Sequence, residues 1–132
     1  EALASDAQNF GSAHPTVAIR QSNLALVYQD LGRYAEAAGL LEEALASDAQ
    51  NFGSAHPTVA IRQSNLALVY KDLSRYAEAI PLLFSALQLF TDVLGENHPN
   101  VDTVGGNLMQ TIEQGAAAGD AYCMELKKKM ED

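Results

Sequence analysis

At 132 residues, the chain has the length of one compact domain or of about three short repeats. Its formal net charge of -9 disfavours a phosphate-backbone partner, so we expect no nucleic acid ligand. Its one cysteine, Cys123, cannot form an internal disulfide, which favours a reducing compartment such as the cytoplasm. We see no apolar run of the roughly 18 residues that a bilayer-spanning helix needs, and we expect no membrane partner.

The dominant feature of the sequence is an internal repeat with a displacement of 42 residues. Residues 1–42 match residues 43–84 at all but five positions, and a third, degraded copy retains His98-Pro99 and Asn107-Leu108. The five differing pairs are Gln29/Lys71, Gly32/Ser74, Ala38/Ile80, Gly39/Pro81 and Glu42/Phe84. This periodicity predicts a stack of similar units, each too small to bury its apolar face alone.

The first segment, residues 1–10, is predicted to form the last turns of a helix that ends before Gly11. Glu1 is in phase with Glu43, which lies in the middle of a predicted helix. We therefore expect the chain to be a piece of a longer array.

The first complete unit is predicted over residues 15–52. Pro15 suits the first position of a helix, because its missing N–H would have no partner there. This helix runs to Leu31, and Gly32 separates it from a second helix between Arg33 and about Phe52. The packed face of the first helix is Val17, Gln21, Leu24, Ala25, Tyr28 and Leu31, and the buried stripe of the second is Tyr34, Ala37, Ala38, Leu41, Ala44 and Leu45.

The second unit, residues 57–94, repeats this pattern with helices Pro57–Leu73 and Ser74–Leu94, the second of which contains Pro81. The third, degenerate unit covers residues 99–131, and its first helix is predicted from Pro99 to about Gln114. Residues 115–119 (GAAAG) are expected to form the connection, after which Asp120 caps a final helix. The apolar side of that helix is Tyr122, Cys123, Leu126 and Met130; its otherwise polar character is typical of a capping helix.

Each complete unit carries Asn-Leu-Ala, then a tyrosine, then Arg-Tyr-Ala-Glu-Ala and Leu-Leu at fixed spacing. This pattern resembles the tetratricopeptide repeat. The 42-residue period and the His-Pro opening are similar to the variety found in kinesin light chains and in related bacterial arrays. The resemblance covers residues 1–112. It implies an all-α, right-handed α-solenoid of stacked antiparallel helix pairs, forming one repeat domain over residues 1–132 with a C-terminal capping helix.

The resemblance also implies a concave groove that is lined by the first helix of each unit and binds an extended peptide. The positions that correspond to the groove are Ile19, Ser22, Asn23, Leu26, Gln29, Asp30, Ile61, Ser64, Asn65, Leu68, Lys71, Asp72 and Asn107. Their helical spacing independently places them on the face opposite the packed one. In similar repeats, the asparagine before Leu-Ala bonds the peptide main chain, and an amide suits this role because it donates and accepts.

The asparagines have a second interpretation, in which they satisfy backbone groups at the turns between adjacent units. The groove also departs from that of chaperone-binding relatives, because it lacks their lysine and arginine clamp for a terminal carboxylate. With Asp30 and Asp72 on the rim, we expect a neutral or basic, partly apolar protein segment as the partner.

The sequence offers no convincing catalytic, metal or cofactor site. His14, His56 and His98 recur with the unit and should lie about 10 Å apart, too far to share a metal. A histidine before proline is better explained as part of a helix cap. We therefore expect a non-enzymatic protein-interaction scaffold without cofactors.

Self-assembly is the alternative function. Residues 1–10 and the adjoining face of the Pro15–Leu31 helix would present an open stacking surface, and near-identical units favour a heterologous, head-to-tail contact between copies. The C-terminal cap disfavours long filaments and allows a dimer through the open ends. Near-identity of the copies also suggests recent duplication or deliberate consensus design.

Overall fold

A computed structural model describes residues 15–131. Residues 1–10 and His14, for which the sequence predicts a partial helix and a cap, lie outside the described residues. Within residues 15–131 the chain forms six helices and no strand: α1 (Pro15–Asp30), α2 (Tyr34–Phe52), α3 (Pro57–Asp72), α4 (Tyr76–Leu94), α5 (Pro99–Ala117) and α6 (Ala121–Glu131).

The helices form a stack in which each packs on the next along the chain. Contacts also join α3 to α5, and α4 to α6, so successive helix pairs lie side by side. This is the predicted all-α solenoid of helix pairs. The core lies between the two layers and is built largely from alanine, leucine and isoleucine. Small side chains allow the helices to approach closely.

The second and third units begin with a histidine cap followed by proline. The Nδ1 atom of His56 accepts a hydrogen bond from the backbone N–H of Thr58 at 3.1 Å, and His98 accepts from Asn100 at the same distance. Proline then occupies the first helical position. The interpretation of these two histidines as helix caps is confirmed.

The predicted packed faces are largely buried, with exceptions at the two ends of the described stack. Val17 and Ala25 are buried, whereas Leu31 is 64% exposed, so its assignment to the packed face was wrong. The equivalent residue of the next unit, Leu73, packs against the core cluster. Its α3 lies against the preceding helix α2, and α1 has no such neighbour among the described helices. In α6, Cys123 is buried while Tyr122 and Met130 are exposed.

The last connection differs from the prediction. Residues 115–117 continue α5, and the turn glycine is Gly119, with a φ of 87°. Gly115 is buried because α6 packs directly on it: a Cβ atom there would lie 2.2 Å from the Sγ atom of Cys123. The predicted cap is confirmed, since Asp120 Oδ1 accepts a hydrogen bond from the Cys123 N–H at 2.9 Å.

One described helix, α4, is long and apolar enough to cross a membrane by length and composition alone, with a mean hydropathy of 1.4. The expectation that no segment meets this criterion was therefore wrong. Glu78 and Asp92, near the ends of α4, interrupt the apolar run without lowering its average enough. A core helix of a soluble protein meets the same criterion, and Ile80, Leu83 and Phe90 of α4 are buried in the core.

Candidate functional site

The first candidate site is a cavity of about 300 Å³ between α3 and α5, which we call the α3–α5 cavity. It is lined by Ile61, Ser64, Asn65 and Leu68 of α3, Phe90 of α4, and Asn100, Thr103, Val104 and Asn107 of α5. Five predicted groove residues therefore meet in one place, four from α3 and Asn107 from the next unit. Two amide side chains, Asn65 of α3 and Asn107 of α5, line it together with the apolar residues Phe90 and Val104.

A second cavity of about 290 Å³, the α1–α3 cavity, lies one unit earlier. Its lining is Pro15, Ile19, Asp48, Phe52, Thr58, Ile61 and Arg62. Ile61 belongs to both cavities, so the two are neighbours along the same side of the stack. Predicted groove residues Ile19 and Ile61 form apolar walls here.

The α1–α3 cavity contains a buried ion pair that joins the first unit to the second. Arg62 Nε lies 2.7 Å from Asp48 Oδ2, and the two side chains are 13% and 2% exposed. Burial raises the pKa of the Asp48 carboxyl above its ordinary value, and the neighbouring Arg62 partly offsets this increase. The pair is thus desolvated but matched in charge.

Four buried polar atoms of α1 and α3 lack a hydrogen-bond partner, and one of them belongs to a cavity residue. Gln63 donates from Nε2 to Ser85 Oγ at 3.0 Å, as Gln21 donates to Glu43 Oε2 at 2.7 Å in the preceding unit. The Oε1 atoms of both glutamines and the hydroxyls of Ser22 and Ser64 are buried without a hydrogen-bond partner. Unpaired buried polar atoms are uncommon, and Ser64 lines the α3–α5 cavity.

The remaining predicted groove residues lie outside both cavities. Ser22 is only 7% exposed, so little of its side chain is accessible from the predicted groove. The other positions do not line either cavity. Asn23, Leu26, Asp30 and Asp72 are exposed, and Gln29 and Lys71 are half-buried.

The sequence reasoning missed the contributions from the second helices. Asp48 and Phe52 of α2 and Phe90 of α4 line the cavities, although only first-helix positions were predicted. A signal was present in the sequence. The positions 42 residues after Asp48 and Arg62 hold Phe90 and Val104, so the charged pair of one unit corresponds to an apolar pair in the next.

The described residues offer little chemistry for catalysis. Residues 15–131 contain no group of three or more histidine, cysteine or acidic side chains that could hold a metal ion. Burial, followed by the hydrogen bond with Asp120, raises the pKa of the Cys123 thiol to about 11. A thiol with this pKa is protonated at neutral pH and is a poor nucleophile.

Comparison with known proteins identifies the repeats. A sequence profile described as tetratricopeptide repeat matches residues 16–88, which is more than half of the chain. Comparison with curated proteins gives no match.

Solved structures with the same fold include two of a kinesin light chain candidate from Podosopora anserina that has nearly identical TPR-like repeats. One, of a point variant, has a TM-score of 0.75 and 26% identity over 98% of this chain and 60% of the other. The second has a TM-score of 0.74 and 27% identity over 98% and 62%. BtubC (BKLC) from P. vanneervenii has a TM-score of 0.66 and 27% identity over 79% and 46%.

This chain therefore spans less than two thirds of the length of each of these proteins. The profile match, the stacked helix pairs and the similar structures agree on one conclusion. The chain belongs to the tetratricopeptide repeat family, and its repeats are similar to those of kinesin light chain-like proteins.

Proposed function

We propose that the chain is a protein-interaction scaffold that binds an extended segment of a partner protein along the two cavities. Tetratricopeptide repeats generally mediate protein–protein interaction and are typically non-enzymatic. The proposal that the partner segment binds along the cavities rests on the α3–α5 cavity, which Asn65 and Asn107 line together with apolar side chains. Amides donate and accept, so they suit a peptide main chain whatever its side chains.

The chemistry of the partner follows from charge and lining. The chain has a net charge of -9, and Asp30 and Asp72 are exposed at the ends of α1 and α3. These charges repel an acidic segment over a distance of about 8 Å at physiological salt. Ile61 and Leu68 offer apolar contact in the cavity. A neutral or basic, partly apolar segment fits these features best.

Selection from a random peptide library tests this proposal. The wild-type chain should enrich a motif, and Asn65→Ala should lose it or bind the selected peptide about tenfold more weakly, as expected for one lost hydrogen bond. Asn97→Ala is the matched control, because Asn97 is exposed in the α4–α5 connection and lines neither cavity. No enrichment by a folded wild-type chain, or equal effects of the two variants, would contradict the proposal.

A second candidate function is self-association through the outer face of α1. Val27 and Leu31 are 51% and 64% exposed, whereas Val69, the equivalent of Val27, is completely buried. This difference supports an isologous dimer, in which the α1 faces of two copies cover each other.

The mass of the chain, measured by light scattering over a range of concentrations, tests self-association. The proposal predicts a dimer for the wild type and a monomer for Val27→Glu. Met109→Glu serves as the matched control, because Met109 of α5 is an exposed apolar residue that lines neither cavity. A wild-type chain that stays monomeric at every concentration rules the dimer out.

We further propose that the scaffold has no catalytic activity of its own and acts in the cytoplasm. The first part is supported by the typical role of the family. The second is supported by the single cysteine of the sequence, Cys123.

A further inference from the structure

The two cavities occupy equivalent places in successive units but have different floors. In the α1–α3 cavity, the residues joining the units are Asp48 and Arg62, an ion pair at 2.7 Å. In the α3–α5 cavity, the equivalent positions are Phe90 and Val104, each 3% exposed. Both members of the pair are replaced in the third, degraded copy, which differs from the second at most positions. The walls share one equivalent apolar residue, Ile19 in the first cavity and Ile61 in the second, whereas Ile61 of the first cavity corresponds to Thr103 of the second.

The ion-pair floor favours a polar occupant. A guanidinium has five N–H donors, and the observed contact with Asp48 uses the one on Nε of Arg62. An apolar side chain placed over this floor would displace water without replacing its hydrogen bonds, which lowers affinity. An amide or hydroxyl side chain would both accept from Arg62 and donate to Asp48.

A charged occupant suits this floor less well. An acidic side chain attracted to Arg62 would also lie close to Asp48, and a basic one attracted to Asp48 would lie close to Arg62, so each attraction is offset by a repulsion in a partly buried space. The neutral polar side chain avoids both contacts.

The apolar floor favours the opposite chemistry. The Phe90 and Val104 side chains present only carbon atoms, so a polar side chain seated directly on them loses its water and finds partners only on the surrounding walls. An aliphatic side chain buries apolar surface instead. Asn65 and Asn107 remain on the walls, where they can bond the main chain that carries it.

We propose that the groove binds two side chains of one extended segment: a neutral amide or hydroxyl side chain in the α1–α3 cavity and an aliphatic one in the α3–α5 cavity. This inference rests on the proposed peptide-binding function. Packed helices lie about 8–10 Å apart and an extended chain advances about 3.3 Å per residue, so the two side chains are about three residues apart.

Exchange of the two floors tests the inference with residues that the chain itself supplies. The double variant Asp48→Phe/Arg62→Val gives the α1–α3 cavity the floor of its neighbour. The reverse variant, Phe90→Asp/Val104→Arg, gives the α3–α5 cavity the ion pair. Each variant is used in the same peptide selection as the wild type, and its fold is checked by circular dichroism and thermal unfolding.

The wild type should enrich a polar and an aliphatic residue at the stated spacing. The Asp48→Phe/Arg62→Val variant should enrich aliphatic residues at both positions and bind the wild-type peptide about tenfold more weakly. Because this variant adds no buried charge, it carries the test even if the reverse variant does not fold.

The possible failures are distinguishable. A wild-type motif that the floor exchange leaves unchanged overturns this inference and leaves the proposed function standing. The absence of any wild-type motif overturns both. The inference is also overturned if the wild-type motif is lost in Asn65→Ala but shows no preference for a polar residue at the position that faces Arg62.

Discussion

At the scale of single residues, the Asp48–Arg62 pair is the most informative contact in the structure. Arg62 Nε and Asp48 Oδ2 are 2.7 Å apart, and removal of either side chain would leave the other charge buried without a partner. The next unit has Phe90 and Val104 at the equivalent positions, so the chain contains both a charged and an apolar contact between adjacent units.

We expect Arg62→Val to lower the free energy of unfolding by about 3–5 kcal/mol, because it leaves the Asp48 carboxylate buried alone. The double variant Asp48→Phe/Arg62→Val should recover most of this loss, since it reproduces the apolar junction of the next unit. Urea unfolding of the two variants and the wild type measures the difference. A double variant no more stable than Arg62→Val would show that the two junctions are not interchangeable.

The raised pKa of Asp48 makes a prediction about pH. The folded state holds the Asp48 proton more tightly than the unfolded state does, because burial raises the pKa of this carboxyl. The associated stability is therefore complete below the unfolded pKa and is lost as the pH rises through the folded pKa. Asp48→Asn, which does not titrate, is the reference.

The stability of the wild type relative to Asp48→Asn should therefore fall as the pH is raised from about 3.9, the ordinary pKa of aspartate, towards neutrality. Thermal unfolding of both proteins across this range tests the sign. A relative stability that rises with pH would mean that attraction to Arg62 outweighs the cost of burial.

At the scale of helices, close approach depends on a few small residues. Gly115 of α5 lies against Cys123 of α6 and against the ring of Tyr76, where no Cβ atom fits. The sequence alone could not reveal this role, because a glycine near a helix end is equally typical of a stop. The other helix ends could be predicted to within a few residues, because caps made by proline, histidine and aspartate depend only on residues nearby in the sequence.

We expect Gly115→Ala to destabilise the chain by about 1–3 kcal/mol, because α5 and α6 must separate to admit the methyl group. Gly106→Ala is the matched control in the same helix. Nothing lies within 4 Å of its added Cβ atom, so the better helix propensity of alanine should stabilise the chain by about 0.5–1 kcal/mol. Equal effects of the two substitutions on thermal unfolding would contradict the proposed packing of α6.

The turns inside the two complete units provide another matched pair. Ser74 has a φ of 59°, a left-handed conformation that the equivalent Gly32 adopts with a φ of 76°. Ser74→Gly should stabilise the chain and Gly32→Ser destabilise it, each by about 1 kcal/mol. Chemical denaturation checks both signs; a destabilising Ser74→Gly would show that the serine makes a compensating contact.

At the scale of the whole molecule, the period of the sequence was enough to predict a solenoid and the side of it on which Ile61, Asn65 and Asn107 lie. It was not enough to predict the cavity floors, because Asp48 and Phe90 reach them from second helices through the packing of adjacent units. The exposure of Leu31 has the same origin: burial depends on a neighbouring helix, which the local pattern does not specify.

The last helix closes one end of the described stack. The outer surface of α6 is exposed and charged, and it includes Glu125, Lys127, Lys128 and Lys129. Lys129 pairs with Glu125 on the outer surface at 3.5 Å. A charged, exposed outer surface disfavours the addition of another unit, in agreement with a capping role.

The most direct test of the account is to map the bound peptide on the chain by nuclear magnetic resonance. A selected peptide is titrated into the labelled protein, and the side-chain amide signals of Asn65 and Asn107 are followed together with that of Asn97. The account predicts that the first two shift in proportion to the bound fraction and that Asn97 does not. Shifts that cluster on α6 or on the outer face of α1, with Asn65 and Asn107 unchanged, would contradict it.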